Sequence, residues 1–83
     1  MSRLELKKGV LQVLVDNIHN NTTPNAVDSD SIARTLKVKR LDETDVLKSM
    51  HEKGVIISSE ENQYSIITGK GVEYLNGYNH IQL

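Results

Sequence analysis

Cysteine is absent from this chain of 83 residues, which excludes disulfides, thiolate metal sites and cysteine nucleophiles. Phenylalanine and tryptophan are missing too, so the core has to be aliphatic, built from Leu, Ile and Val with Tyr64, Tyr74 and Tyr78 at its edges. Pro24 is the single proline. No excess of either charge exists: ten basic residues against eleven acidic ones leave a formal charge of −1. Dedicated nucleic-acid binders carry a basic excess, because phosphate neutralisation supplies most of their affinity, so the balance argues against that class. No apolar run reaches the length of a signal sequence or a membrane span, which leaves the cytoplasm as the expected compartment and no membrane as partner. His19, His51 and His80 stand too far apart to pair on a helix, and neither a metal nor another cofactor is expected.

Hydrophobic content of 37% in so short a chain implies one domain spanning 1–83, near the lower size at which a single core folds unaided. A homodimer that buries more apolar surface would relieve that margin and is expected. Val13 and Val15, which widen the apolar surface of the first helix, are the natural contact region together with the tail.

Ser2 and Glu5 have capping-box spacing, and Leu6, Val10, Leu11, Leu14 and Ile18 recur at helical intervals, predicting a helix over 4–19. Gly9 within it marks a place where another backbone comes close. Asn20 to Asn25 form a turn-rich linker, Ala26-Val27 suit a short strand, and Asp28, Ser29 or Asp30 caps a second helix over 29–38. Asp42 is the expected cap of a third helix over 43–53, with Val46, Leu47 and Met50 inward. Between Leu36 and Val46 the spacing is long for a tight helix-turn-helix. Either the second helix continues through Val38, or the turn is enlarged with Leu41 tucked inward.

Gly54 can take the left-handed conformation that closes the third helix. Val55-Ile56-Ile57 is a β-branched run, Glu60-Glu61-Asn62-Gln63 a polar tip and Tyr64 to Thr68 the return strand, predicting a hairpin over 55–67. Thr68 then caps a last helix over 69–76, leaving 76–83 as a loose tail. The expected core is Leu11, Leu14, Ile32, Leu36, Val46, Leu47, Met50, Ile56, Ile66 and Leu75.

The phrases Glu52-Lys53-Gly54-Val55-Ile56 and Ile67-Thr68-Gly69-Lys70-Gly71-Val72-Glu73-Tyr74-Leu75 resemble the recognition-helix end, wing and closing helix of winged helix-turn-helix domains. The resemblance covers Leu6 to Leu75 and implies an α+β fold with a three-helix core, a β-hairpin wing and a closing helix. It further implies a DNA-binding transcriptional regulator that places the third helix in the major groove of double-stranded DNA. On that reading Arg34, Lys37, Lys39 and Arg40 hold phosphates, helped by Arg3, Lys7 or Lys8, while Thr44, Lys48 and Ser49 reach phosphate or base edges. Glu43, Glu52, Glu60 and Glu61 would oppose a polyanion. The alternative is a winged domain used for protein–protein contact without DNA. The surface around the third helix discriminates: a contiguous positive face favours DNA, a mixed or negative face with an apolar patch favours a protein. No nucleophile-elbow or helical His-Glu-x-x-His pattern occurs, so an enzyme is not expected.

Overall fold

The computed structural model describes residues 2–20 and 26–81, with side chains through Gly77. The Pro24 linker and the last two residues of the predicted tail lie outside the described residues. The fold is α+β: helices α1 (Arg3–Asn20), α2 (Ser29–Leu36), α3 (Arg40–Glu52) and α4 (Gly69–Ile81), with strands β1 (Val27–Asp28), β2 (Ile56–Ser58) and β3 (Tyr64–Ile67). The sheet is antiparallel in the order β1-β3-β2. Val27 pairs with Ser65 on one side of β3, and Ile56 pairs with Ile67 on the other.

Local chemistry sets most boundaries. The Ser2 hydroxyl accepts from the Glu5 amide at 3.1 Å and opens α1. Asp28 caps α2, with its carboxylate accepting the Ser31 amide at 3.0 Å and the Ser31 hydroxyl at 2.6 Å. These two bonds hold the Asp28 carboxyl below the usual carboxylate range. Thr68 accepts the Gly71 amide at 3.1 Å to open α4, and its hydroxyl donates to the Gly54 carbonyl at 2.7 Å.

The turn between α2 and α3 differs from both arrangements expected. Helix α2 stops at Leu36, Lys37 takes the left-handed conformation at φ 59°, and α3 starts at Arg40 rather than after Asp42. Only Lys37, Val38 and Lys39 remain between the helices, a tight turn. The Val38 amide reaches back to the Ala33 carbonyl at 3.0 Å and the Lys37 amide to the Arg34 carbonyl at 3.3 Å, which ends α2 in a Schellman closure. Asp42 lies inside the first turn of α3, where the preceding Lys39 makes no side-chain cap bond. Leu41 is 85% exposed instead of tucked inward. Helix α4 also continues past the predicted end near 76, to Ile81.

The core gathers Leu6, Val10, Leu11 and Leu14 of α1, Ile32 of α2, Val46, Leu47 and Met50 of α3, then Val55, Ile56, Ile67 and Leu75. Leu36 only packs against it, as do Val13 and Val15, so the valines of α1 contribute to this core. Ile66 is half-buried while Ser65 and Ile67 are buried, which shifts the inward face of β3 by one residue from that expected. Gly9 does not meet a backbone: a Cβ there would come within 2.9 Å of a Leu36 methyl, a side chain that can move. The close backbone approach is at Gly71, where a Cβ would sit 2.1 Å from the Val55 carbonyl oxygen.

Two stability outcomes follow from this packing, both read by urea unfolding. Gly71→Ala forces the start of α4 off the sheet and should cost about 2–4 kcal/mol, within the range of severe core disruptions. Lys37→Gly relieves a left-handed side-chain penalty of roughly 1–2 kcal/mol, offset in part by glycine entropy, and should stabilise by about 0.5–1 kcal/mol.

Candidate nucleic-acid interface

A basic cluster over 34–40 becomes two unlike groups in the structure. Arg34, Lys37 and Lys39 are exposed at the end of α2 and in the turn, and none of them has a carboxylate partner among the described residues. Arg34 reaches only the Ser31 hydroxyl, at 3.3 Å. Arg40 is different, because its Nε lies 2.9 Å from an Asp30 oxygen and one terminal nitrogen lies 3.9 Å from Glu43. It therefore ties α3 to α2. An open groove of about 490 Å³ runs between these helices, with Arg34, Lys37 and Arg40 on its walls and Asp28 and Asp30 opposite them.

Glu43, expected on the outward side of α3, is fully buried. Its carboxylate oxygens have no hydrogen-bond partner, and the Arg40 nitrogen nearest to it is also unpartnered. Burial pushes the Glu43 carboxyl up to about 7; Arg40 pulls it down, while the Asp30 and Asp28 charges add to the rise. At acidic pH this side chain is neutral, and Arg40 is left to Asp30.

The solvent face of α3 carries Leu41, Asp45, Lys48 and Glu52 in one stripe at helical spacing, with Asp42 beside it, all exposed. Three carboxylates thus stand against a single ammonium. Ser49 is half-buried at the flank. Thr44 is half-buried and its hydroxyl donates to the Arg40 carbonyl at 2.8 Å, so it is occupied within its own helix. At the tip of the hairpin, Glu60 and Glu61 are exposed in a 3-10 turn where Glu61 and Asn62 have positive φ. The outer side of the hairpin pairs Ile57 with Ile66, and Tyr64 lies on the same side; Ile57 is 58% exposed and Tyr64 50%.

Two of the suggested helpers, Arg3 and Lys7, are not beside this cluster. Lys7, with Arg3 near it, lies by Lys53 at the opposite end of α3 from Arg40, roughly 18 Å away along a helix of this length. Sequence reasoning also missed His51, whose Nδ1 accepts the Ser58 amide at 3.1 Å and ties α3 to the edge of β2. The two residues are seven apart across a glycine turn, and no periodicity signals such a contact. Among the described residues no group of three or more His, Asp or Glu could hold a metal, and no helix is long and apolar enough to cross a membrane. Comparison of the chain with protein-family models, curated proteins and solved structures gives no match.

The buried carboxyl has a pH signature. Its folded value near 7 lies above the ordinary 4.5, so the folded state holds a proton that the unfolded chain has released between these values. Its contribution is complete below about pH 4.5 and is lost as pH rises through about 7, a fall on the order of 2–3 kcal/mol. Glu43→Gln, neutral throughout, should flatten that slope and be the more stable protein at pH 8, measured by urea unfolding across the range.

Proposed function

We propose that the chain is a winged helix-turn-helix binding module whose α3 face and wing meet a protein partner. The three-residue turn between α2 and α3, the hairpin directly after α3 and the closing α4 support that architecture. The observation that carries the functional reading is the exposed stripe Leu41, Asp45, Lys48 and Glu52, with Asp42 alongside. In a major groove this stripe would bring three carboxylates between two rows of phosphates, where duplex DNA carries about one negative charge per 1.7 Å of axis. Against a protein the same carboxylates select a partner with basic groups at the rim. Leu41 at the head of the stripe supplies an apolar anchor, and Ile57, Ile66 and Tyr64 give the wing an apolar side of its own.

A second reading, a DNA-binding transcriptional regulator, is favoured by one observation. Arg34, Lys37 and Lys39 form an exposed basic margin, and among the described residues none of them is in an ion pair. On this reading the duplex is held at the α2–α3 turn, Lys48 adds a phosphate contact and α3 stays shallow in the groove.

Binding to mixed-sequence duplex DNA across a salt series separates the two. At about 0.01 M ionic strength, where screening extends to roughly 30 Å, the protein-contact reading expects no saturable duplex binding. Saturable binding whose log–log salt slope falls by about 0.9 for each contact removed by Arg34→Gln, Lys37→Gln or Lys39→Gln would instead establish the DNA reading.

A further inference from the structure

The N-terminal half of α1, the end of α3 and the first turns of α4 enclose a pocket of about 110 Å³. Its floor is apolar, made by the buried Leu11, Met50 and Val55, with Tyr74 at the rim. Its polar lining comes from Lys7, Lys53 and Tyr74, of which the two lysines are charged. Lys7 faces Lys53 closely enough for the two side chains to interact directly, and Arg3 adds a third cation. Among the described residues neither lysine has a carboxylate partner.

Long, flexible ammonium side chains with nothing to hold them spread apart into water, because like charges repel and side-chain freedom is lost on convergence. Here two of them converge over an apolar floor. An anion placed between them would turn that repulsion into two charge-assisted hydrogen bonds. The floor selects for an apolar body on the same ligand. At about 110 Å³ the pocket is somewhat smaller than the cavity of about 150 Å³ that accommodates a benzene ring, and its mouth is open to solvent. One ring or a short alkyl chain is the largest body it can take.

We propose that this pocket binds a small amphipathic monoanion, a carboxylate carrying one aromatic ring or a short alkyl chain, with its head between Lys7 and Lys53. Arg3 supports the head electrostatically, and the body lies on Leu11, Met50 and Val55. Partial burial and the charges of Lys53 and Arg3 hold the Lys7 amine below its ordinary value, and a bound carboxylate reverses that effect. Occupancy joins α1, α3 and α4 and so braces the end of α3. The site stands apart from the stripe on that helix, and the proposal holds whichever macromolecule the stripe meets.

The test is a ¹H–¹⁵N NMR titration of the full chain with benzoate and with hexanoate, set against benzyl alcohol and inorganic phosphate. Saturable shifts at the amides of Leu11, Met50, Val55 and Tyr74 are expected for at least one carboxylate. The dissociation constant should be about 1 mM or tighter, and about tenfold tighter than for the neutral alcohol or for phosphate. Lys7→Gln and Lys53→Gln should each weaken carboxylate binding by about tenfold while leaving distant amides unmoved. The proposal is overturned if neither carboxylate saturates, if the shifts fall outside the pocket, or if alcohol or phosphate binds equally well. Unchanged affinity in both lysine variants overturns it as well.

Discussion

The carbonyl oxygen of Val55 leaves no room for a side chain at residue 71, and the joining of all the later elements rests on that approach. Val55 donates its amide to the Met50 carbonyl at 3.1 Å, which finishes α3, and accepts the Thr68 amide at 3.2 Å, which begins the pairing of the hairpin. Thr68 in turn opens α4 and binds the Gly54 carbonyl. Helix end, strand start and helix start therefore share one small set of backbone groups. The core inherits its geometry from this knot. Met50, Ile56, Ile67 and Leu75 are buried because the three elements leaving it are aimed at the same centre. The Lys7–Lys53 pocket opens beside it, over the same Val55 and Met50.

How far the fold could be read in advance depended on whether a turn needed a special residue. Gly54 sits at φ 78° with its N–H donating to the His51 carbonyl, and glycine is the residue that adopts this without strain, so the end of α3 was legible. Lys37 adopts nearly the same conformation at the end of α2, but a lysine there carries no signal. The start of α3 was hidden for a related reason, since Lys39 supplies no cap and Arg40-Leu41 look like linker. Missing both ends made the connection seem long, whereas it is three residues. The inward phase of β3 slipped by one because Ser65, not an apolar residue, occupies a buried position there and bonds Ser58 across the hairpin at 2.8 Å. Alternating patterns follow hydrophobicity and cannot see a buried hydroxyl whose partner lies on the next strand.

The candidate interface was legible as a list of residues and not as a distribution of charge. Four basic residues close in sequence suggested one surface, yet Arg40 points across to Asp30 and leaves Arg34, Lys37 and Lys39 as the exposed set. The charge of Glu43 suggests the outward side of α3, whether that helix starts at Arg40 or at 43. Glu43, Leu47 and Met50 fall on one line at intervals of four and three from either start, and all three are buried. Leu41, whose apolar character argued for the interior, falls on the opposite line with Asp45, Lys48 and Glu52. Burial of Glu43 and exposure of Leu41 thus exchange a charge for a leucine on the outer face.

That exchange bears on what α3 can recognise. A buried carboxyl without hydrogen-bond partners is destabilising when ionised, and an arginine 3.9 Å away repays little of the lost hydration. A hydrophobic residue at 43 would pack more cheaply, so the ion cluster is poorly explained as a stabilising feature. Its effect is on geometry: Arg40 is held 2.9 Å from Asp30 on α2 and 3.9 Å from Glu43 beneath it, which fastens the first turn of α3 to α2. Arg40 is therefore engaged in holding α3 to α2 and is not free to meet a ligand. The residues left to meet one are a leucine, three carboxylates and a lysine, a set better matched to the basic rim and apolar centre of a protein surface than to a row of phosphates.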